Sequence, residues 1–250
     1  MAVSWKTAWI TGASSGIGRE LALQLARDGV TVAVSSRSPD KLEALAHEHK
    51  GIRPYAVDVT NPSAVSDVHR RIIDQMGHID LAVLNAGTWQ PMSAVRYNAR
   101  TAAESMSVNY LGIAHALEPL IPAMKYAGRG QIALVASVAG YRGLPKAAAY
   151  APSKAAVISL AEVLRLELAG HGIVVSLVNP GFVETPMTVE NDFPMPFIIK
   201  AEDAAARIIK GLRKQRFEVA FPWQLVTMLK LGRILPYGLY FKLAGRTNSQ

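Results

Sequence analysis

Short runs of β-branched and apolar residues alternate along the chain with longer segments whose apolar positions recur at helical spacing. The short runs are typical of buried strands, and the longer segments of amphipathic helices. The predicted strands are Val3–Ile10, Val30–Ser35, Ile52–Val57, Leu81–Leu84, Gln131–Ala136, Val174–Val178 and Phe217–Phe221. The predicted helices are Gly16–Arg27, Pro39–His49, Pro62–Met76, Thr101–Met124, Ala151–Ala169 and one that begins near Glu202.

Alternation of strands and helices favours parallel pairing, because a parallel strand needs a crossover connection that covers one face of the sheet. The expected fold class is therefore α/β, with a doubly wound parallel sheet of about seven strands and helices on both faces. No repeat, low-complexity segment or linker interrupts the pattern. Residues 1–250 are predicted to form a single domain.

Composition removes several classes of function. Half of the 250 residues are apolar, and none is cysteine, which excludes disulfides and thiolate metal ligands. The six histidines are scattered, so we predict no metal site and disfavour a metal-dependent dehydrogenase. The N-terminal residues do not resemble a secretory signal, and no apolar run is long enough to span a bilayer. We expect a cytoplasmic protein.

The net charge of +8 is unevenly distributed. Residues 200–250 contain ten Lys or Arg and three Asp or Glu, whereas residues 1–199 contain seventeen and sixteen. A nucleic-acid binder usually carries a basic stripe on its recognition element. No such stripe is found, so no nucleic-acid partner is predicted, and most of these charges are interpreted as a solvated surface.

A glycine-rich turn follows the first predicted strand and leads directly into a helix. Its glycines allow a sharp turn and a close approach to a pyrophosphate, while the free N–H groups and dipole of the helix attract the anion. Alone, such a turn can be no more than a tight turn, but in the first βα unit of a Rossmann-type pattern it predicts a dinucleotide site. The candidate residues are Gly12, Ser14, Ser15, Gly16, Ile17 and Gly18.

With this TGxxxGxG turn the chain resembles the short single-domain branch of the short-chain dehydrogenase/reductase family, from residue 5 to about residue 187. Four further motifs stand in register with the family. They are Asp58-Val59, Asn85-Ala86-Gly87, a YxxxK pair within a catalytic tetrad, and a PGxxxT motif over residues 180–185. The resemblance implies that the first two lie on the adenine side of a nicotinamide cofactor, and that the nicotinamide end contacts Pro180, Gly181, Val183 and Thr185.

The resemblance also implies a tetrad of Asn109, Ser137, Tyr150 and Lys154. Tyr150 would exchange a proton with the alcohol or carbonyl oxygen, and Ser137 would hydrogen-bond that oxygen. Lys154 would contact the nicotinamide ribose, and Asn109 would hold a water that links Lys154 to solvent. Taken singly, a residue such as Tyr150 is more often a core tyrosine, Ser137 is more often a strand-end hydroxyl bound to its own backbone, and Asn109 is compatible with a helix bend or packing.

The spacing of Tyr150 and Lys154 supports this chemistry independently, because residues four apart share one face of a helix. A phenol has a pKa of about 10. A nearby ammonium, together with the charge of an oxidised nicotinamide, is expected to lower that value by about 2–3 units.

The end of the second predicted strand indicates the cofactor preference. Ser36 stands where dehydrogenases that prefer NAD carry a carboxylate for the ribose hydroxyls, and Arg37 follows it. A guanidinium can bind a 2′-phosphate through two charge-assisted hydrogen bonds. NADP(H) is therefore predicted over NAD(H), unless Arg37 is simply a surface residue.

Residues 186–250 are expected to form a variable substrate lid and a basic, apolar tail. Pro, Met and Phe in the first part suggest a flexible apolar lid over the nicotinamide and an apolar pocket for a lipophilic substrate, although Met and Phe in such stretches are more often plain packing residues. In the tail, large apolar residues are interleaved with Lys230, Arg233, Lys242 and Arg246. Such a segment can pack in the core or a subunit contact, cover the active site, or make peripheral contact with a membrane.

The predicted function is an NADP(H)-dependent oxidoreductase that interconverts a carbonyl and an alcohol on a small-molecule substrate. The alternative is a catalytically silent dinucleotide-binding sensor or scaffold. This alternative is disfavoured because no member of the tetrad is missing. The resemblance further implies a homodimer or homotetramer, built through the long helices near residues 101–126 and 150–169.

Overall fold

The computed structural model describes residues 4–189, 191 and 193–246. Its strands are β1 (Thr7–Thr11), β2 (Thr31–Ser35), β3 (Ile52–Pro54), β4 (Leu81–Leu84), β5 (Gly130–Val135), β6 (Ile173–Pro180), β7 (Val183–Glu184), β8 (Ile199–Lys200) and β9 (Glu218–Phe221). Its α-helices are α1 (Gly16–Arg27), α2 (Pro39–Glu48), α3 (Pro62–Met76), α4 (Ala99–Met106), α5 (Gly112–Ala127), α6 (Tyr150–Leu168), α7 (Ala201–Arg213), α8 (Trp223–Ile234) and α9 (Tyr237–Arg246).

Seven strands form one parallel sheet in the order β3-β2-β1-β4-β5-β6-β9. The predicted doubly wound parallel sheet is therefore confirmed. The chain moves outward from β1 to β3 and then returns to place β4 on the other side of β1. A strand order that reverses in this way opens a crevice at the carboxyl ends of β1 and β4, where α/β proteins bind ligands.

Helices cover both faces of the sheet. Helices α1, α2 and α7 pack on one face, and α3, α5, α6 and α8 on the other. Side chains alternate along β1: Trp9 packs with the second group, and Ala8 and Ile10 with the first. Burial on both faces explains why the strands appear in the sequence as continuous apolar runs.

The structure differs from the predicted elements in several places. The third strand ends at Pro54 instead of Val57, and the short strands β7 and β8 were not predicted. The predicted strand Val3–Ile10 starts outside the described residues, and the strand observed there is Thr7–Thr11. The single helix expected over Thr101–Met124 is divided by a π-helical turn at Ser107–Leu111. The tail, which was not assigned regular structure, forms α8 and α9.

No helix in the described part of the chain combines the length and the apolar character that crossing a membrane requires.

Candidate active site

The glycine turn lies between β1 and α1. Gly12 and Gly16 have φ angles of +69° and +54°, in the left-handed region that favours glycine. A Cβ on Gly18 would lie 2.4 Å from the Gly12 carbonyl oxygen and 2.7 Å from Asn85 Nδ2. Glycine at position 18 therefore allows α1 to start directly against the turn.

The start of α1 is suited to bind an anion. Ser15 occupies the N-cap position, but its side chain makes no capping hydrogen bond, and the first turn holds no acidic residue. The backbone N–H groups of a first helical turn have no partner within the helix. An anionic group placed here would receive these N–H groups at the positive end of the helix dipole.

Asn85 connects the turn to β4. Its Nδ2 donates to the carbonyl oxygens of Thr11 and Gly12, both at 3.1 Å. In return, Thr11 Oγ1 accepts from the backbone N–H groups of Asn85 at 3.0 Å and Ala86 at 3.1 Å. These four bonds hold the glycine turn at the point where the strand order reverses.

A cleft of about 310 Å³ opens at this point. Most residues predicted to bind the cofactor line it, namely Gly12, Ser14, Ser15, Gly16, Ile17, Ser36, Arg37, Asp58, Val59, Asn85, Ala86, Gly87 and Thr185. Sequence reasoning missed further lining residues: Ser38, Val57, Val108, Pro186 and Met187. Ser38, Val57, Val108 and Pro186 directly adjoin predicted residues in the chain, which was an available signal, and Met187 lies two positions after Thr185.

Six predicted cofactor residues are not among those that line the cleft, namely Gly18, Tyr150, Lys154, Pro180, Gly181 and Val183. Tyr150 and Lys154 are described below with the tetrad. Gly18 lies beneath the turn, and Pro180 presents its carbonyl oxygen 3.4 Å from Ser137 Oγ. A Cβ on Gly181 would lie 2.8 Å from Leu225 Cδ2, so this glycine accommodates α8. Val183 is buried in the core on the side of α7. Sequence position alone could not separate these packing contacts from ligand contacts.

One end of the cleft combines a carboxylate and a guanidinium. Asp58 Oδ1 accepts from the backbone N–H of Thr60 at 2.9 Å and from its hydroxyl at 2.8 Å. Burial alone would raise the pKa of Asp58, but these hydrogen bonds and the charge of Arg37 lower it. Arg37 is exposed, and the Ser36 hydroxyl accepts from the backbone N–H of Ser38 at 3.2 Å.

Gly87, which lines the cleft, adjoins two tetrad residues, Asn109 and Lys154. Tyr150 is the first residue of α6, and Ser137 follows β5. Burial raises the pKa of Tyr150 to about 12, and a hydrogen bond with Ser137 acts in the opposite direction. In the chain without a cofactor, the pKa of Tyr150 is therefore raised, whereas the sequence led us to expect that it is lowered. That expectation included the charge of a bound cofactor, and it remains a prediction for the loaded protein.

Lys154 lies on the same side of α6 as Tyr150. Its Nζ is 5.6 Å from the centre of the Tyr150 ring and donates to the Val135 carbonyl oxygen at 2.9 Å. Burial lowers the pKa of Lys154 to about 8. A Cβ on Gly87 would lie 3.5 Å from Nζ, so the ammonium borders the cleft through this glycine.

Asn109 lies in the π-helical turn and is fully buried. Its Oδ1 accepts from the Thr88 backbone N–H at 2.7 Å, while Nδ2 donates to the Thr88 carbonyl oxygen at 3.0 Å and to Ser153 Oγ at 2.9 Å. The side chain therefore joins the end of β4 to α6. Both amide hydrogens are used, so the predicted relay water would need other atoms of Asn109.

An aromatic cluster borders Tyr150 and was missed in the sequence. The Trp89 ring meets the Tyr150 ring edge-on at 5.0 Å, and its Nε1 donates to Asn191 Oδ1 at 2.9 Å. Phe193 lies 6.3 Å from Trp89 and 6.1 Å from Phe182, measured between ring centres. These contacts attach the lid segment to Trp89, which in turn touches Tyr150. The aromatic residue next to Asn85-Ala86-Gly87 was the available signal.

The described ranges contain no group of three His, Cys, Asp or Glu side chains placed to hold an ion.

Similarity to known proteins identifies the family of this chain. The family model of the short chain dehydrogenases matches residues 6–193. The chain belongs to the short-chain dehydrogenase family. It is therefore a member of a family of oxidoreductases, and the resemblance recognised in the sequence is confirmed.

Relatives of this short-chain dehydrogenase include an uncharacterized oxidoreductase from Myxococcus xanthus, which is 38% identical over 248 residues, or 98% of each chain. A 3-oxoacyl-(acyl-carrier-protein) reductase from Thermotoga maritima is 36% identical over 192 residues, covering 75% of this chain and 78% of the relative.

Solved structures share the fold of this short-chain dehydrogenase. One is a short-chain dehydrogenase/reductase from Burkholderia phymatum in complex with NAD, with 24% identity, a TM-score of 0.85 and coverage of 92% of this chain and 94% of that one. Another is an alcohol dehydrogenase from the archaeon Thermococcus sibiricus complexed with 5-hydroxy-NADP, with 27% identity, a TM-score of 0.79 and coverage of 87% and 96%.

Proposed function

We propose that this short-chain dehydrogenase interconverts a carbonyl and a primary or secondary alcohol with NADP(H) as its hydride carrier, and that it works mainly as a reductase on a lipophilic substrate. The observation that carries the proposal is that Tyr150 contacts both Ser137 and Lys154, and that Lys154 adjoins Gly87, which lines the cleft that the glycine turn forms.

The cleft fits a dinucleotide in three respects. Backbone N–H groups at the uncapped start of α1 suit a pyrophosphate, and the turn residues Gly12 and Gly16 present no side chain there. At one end of the cleft, Ser36 and Arg37 suit a 2′-phosphate, whereas a carboxylate side chain at this position would repel it. When bound, the nicotinamide supplies the hydride, which is chemistry that no side chain provides.

The neighbouring structures contain NAD in one case and a modified NADP in the other, so the preference for NADP(H) depends on Ser36 and Arg37. Arg37 already interacts with Asp58, whose pKa it helps to lower. The guanidinium is nevertheless exposed and keeps most of its donors for a phosphate.

In this proposal Tyr150 is the catalytic acid and Ser137 its partner. A protonated phenol, which the raised pKa favours at neutral pH, donates a proton to the carbonyl oxygen as that oxygen gains negative charge. Ser137 hydrogen-bonds the same oxygen and stabilises the developing charge. Lys154 favours the phenolate that remains, because its ammonium lies on the same side of α6.

The substrate side of the site is apolar and aromatic. Trp89, Phe182 and Phe193 form the cluster beside Tyr150, and the lid segment closes it through the Trp89–Asn191 hydrogen bond. Aromatic rings bury large apolar area with little loss of conformational entropy. A lipophilic carbonyl compound therefore suits this pocket better than a small charged one.

The test is steady-state oxidation of NADPH and NADH against a panel of aldehydes, ketosteroids, 3-oxoacyl thioesters and retinoids. We expect turnover with NADPH, and a loss of at least about a hundredfold in Tyr150→Phe, which lacks the transferable proton. The control is Tyr97→Phe, since Tyr97 is an exposed tyrosine that does not line the cleft. Full activity of Tyr150→Phe would refute the assignment of the acid.

The same panel separates the enzyme from a silent sensor or scaffold. A sensor would bind the dinucleotide with no turnover of any substrate, and Tyr150→Phe would then leave its properties unchanged. Dinucleotide binding is followed in both proteins by quenching of Trp fluorescence, so binding and turnover are measured separately.

We further propose that the protein is cytoplasmic and assembles as a homodimer or homotetramer through the region of α5 and α6. Leu111, Tyr126, Val163 and Leu166 are large apolar side chains exposed on these helices or at their ends, which supports an interface there. Sedimentation velocity of the wild type and Leu166→Glu is the test, and identical sedimentation coefficients would contradict it.

A further inference from the structure

The tail helices α8 and α9 expose large apolar side chains on their outer surface. We define the tail surface as Trp223, Met228, Leu231, Ile234, Tyr237, Leu239, Phe241 and Leu243, all of which are exposed. Monomeric proteins seldom leave so many large apolar side chains exposed on two consecutive helices. Some partner is therefore expected to cover the tail surface.

Helix α8 is apolar on both of its sides. Leu225 is buried in the core, and Val226 and Leu229 pack against it. Trp223, which is 71% exposed, and Ile234, which is 77% exposed, lie on the opposite side of the helix. The inner side therefore accounts for the attachment of α8 to the body, and the outer apolar side has no role in the fold.

The orientation of the tail surface is fixed by Arg142. Its guanidinium donates to the carbonyl oxygens of Gly232 at 2.5 Å, Arg233 at 2.8 Å and Leu235 at 2.9 Å, at the end of α8. It also lies over the ring of Tyr240 at 4.1 Å, and the Tyr240 hydroxyl donates to the Gly143 carbonyl oxygen. This anchorage prevents the two helices from turning their outer side inward.

The charged residues of the tail segment itself are all basic. Between Val219 and Arg246 the chain contains no Asp or Glu, whereas it carries Lys230, Arg233, Lys242 and Arg246. Lys230 is paired with Glu218, but Arg233 and Lys242 are exposed beside the apolar residues. An apolar surface fringed by cations matches a bilayer that contains anionic lipids.

Charge complementarity favours an anionic membrane over a second copy of the chain as the partner of the tail surface. In a symmetric dimer built on this face, Arg233 and Lys242 of the two copies would approach each other without any acidic residue of the tail to pair with them. Like charges placed together across an interface oppose association. Anionic headgroups would instead neutralise both cations.

We propose that the tail surface lies on an anionic membrane, with its aromatic and aliphatic side chains in the headgroup region and Arg233 and Lys242 on the lipid phosphates. Contact of this kind needs no spanning helix. It is also independent of the proposed reaction, since it uses none of the residues that line the cleft.

The test is sedimentation of the full-length chain with vesicles of phosphatidylcholine, with and without phosphatidylserine. We expect binding to the vesicles that contain phosphatidylserine and little binding to pure phosphatidylcholine. Trp223→Ser/Ile234→Ser/Phe241→Ser should weaken binding about tenfold or more. Arg233→Gln/Lys242→Gln should weaken it about thirtyfold, since each cation near an anionic surface is worth about 1 kcal/mol.

The matched control is Val95→Ser/Tyr97→Ser, outside α8 and α9, because Tyr97 is 61% exposed and Phe241 is 63% exposed. Circular dichroism and dinucleotide binding show that each variant is folded. Equal binding by the control and the wild type supports the proposal. The proposal is overturned if the wild type fails to bind the anionic vesicles, binds both kinds of vesicle equally, or loses self-association rather than lipid binding in the triple variant.

Discussion

Replacing Lys154 by methionine should make the protein more stable at neutral pH while removing its activity. The Lys154 ammonium is buried, and desolvation is the cause of its lowered pKa. Methionine is apolar and of similar length, so it fills the same space without a charge that must be removed from water. The buried ammonium therefore destabilises the folded chain, and Lys154 is present because the proposed reaction needs it.

The magnitude follows from the two pKa values. The fall from 10.5 to about 8 corresponds to about 3 kcal/mol at neutral pH, at about 1.4 kcal/mol per unit of pKa. Loss of the hydrogen bond to the Val135 carbonyl oxygen offsets about 1 kcal/mol of this gain. We expect Lys154→Met to be about 2 kcal/mol more stable at pH 7, which raises Tm by about 4–8 °C in a chain of this size.

The gain should shrink as the pH rises. Below pH 8 Lys154 is charged in both the folded and the unfolded chain, so the wild type bears the full cost of burial. Between pH 8 and 10.5 the unfolded chain holds more protons than the folded one, so the wild type gains stability relative to the variant. At pH 9 the advantage of Lys154→Met should fall to about 1 kcal/mol.

Urea unfolding at pH 7 and pH 9, followed by circular dichroism, measures both quantities. Lys41→Met on α2 is the control, because Lys41 is exposed and its loss should change the free energy of unfolding by less than about 0.5 kcal/mol. A Lys154→Met variant that is less stable than the wild type at pH 7 would refute the reasoning. So would an advantage that grows with pH.

Three other substitutions test separate parts of the site. Asn109→Ala removes three hydrogen bonds and should lower the free energy of unfolding by about 3 kcal/mol in urea titrations; an unchanged midpoint would show that these bonds contribute nothing. Gly18→Ala should weaken dinucleotide binding about tenfold, because its Cβ would meet the glycine turn. Gly143→Ala is the control, because a Cβ on Gly143 meets no atom within 4 Å. Equal dissociation constants for the dinucleotide in the two variants, measured by fluorescence, would contradict this. Ser36→Asp/Arg37→Leu should reverse the preference in kcat/KM from NADPH to NADH, and an unchanged ratio would remove the case for NADP(H).

The parallel sheet and the glycine turn were predictable because both depend on local sequence. The strands are buried on both faces and therefore appear as continuous apolar runs, and left-handed φ angles at Gly12 and Gly16 require glycine whatever the surroundings. The family motifs added the spacing of the tetrad. These signals identified most residues that line the cleft.

Contacts between distant parts of the chain could not be predicted in this way. The Trp89–Asn191 hydrogen bond joins residues 102 positions apart, and Arg142 anchors a helix end about 90 positions away. The π-helical turn around Asn109 leaves no mark on the apolar pattern. The raised pKa of Tyr150 in the chain without a cofactor was missed for the same reason. The pKa depends on how deeply the phenol is buried, and that depends on contacts made by the whole site.

The central claim is that Tyr150 exchanges a proton with the substrate under the influence of Lys154 and a bound nicotinamide cofactor. The most direct test is an ultraviolet titration of tyrosinate, taken as the difference between the wild type and Tyr150→Phe, with and without the oxidised dinucleotide. We predict a midpoint near pH 12 without the dinucleotide and a midpoint below about 10 with it. A midpoint that stays near 12 or rises when the oxidised dinucleotide binds would contradict the account.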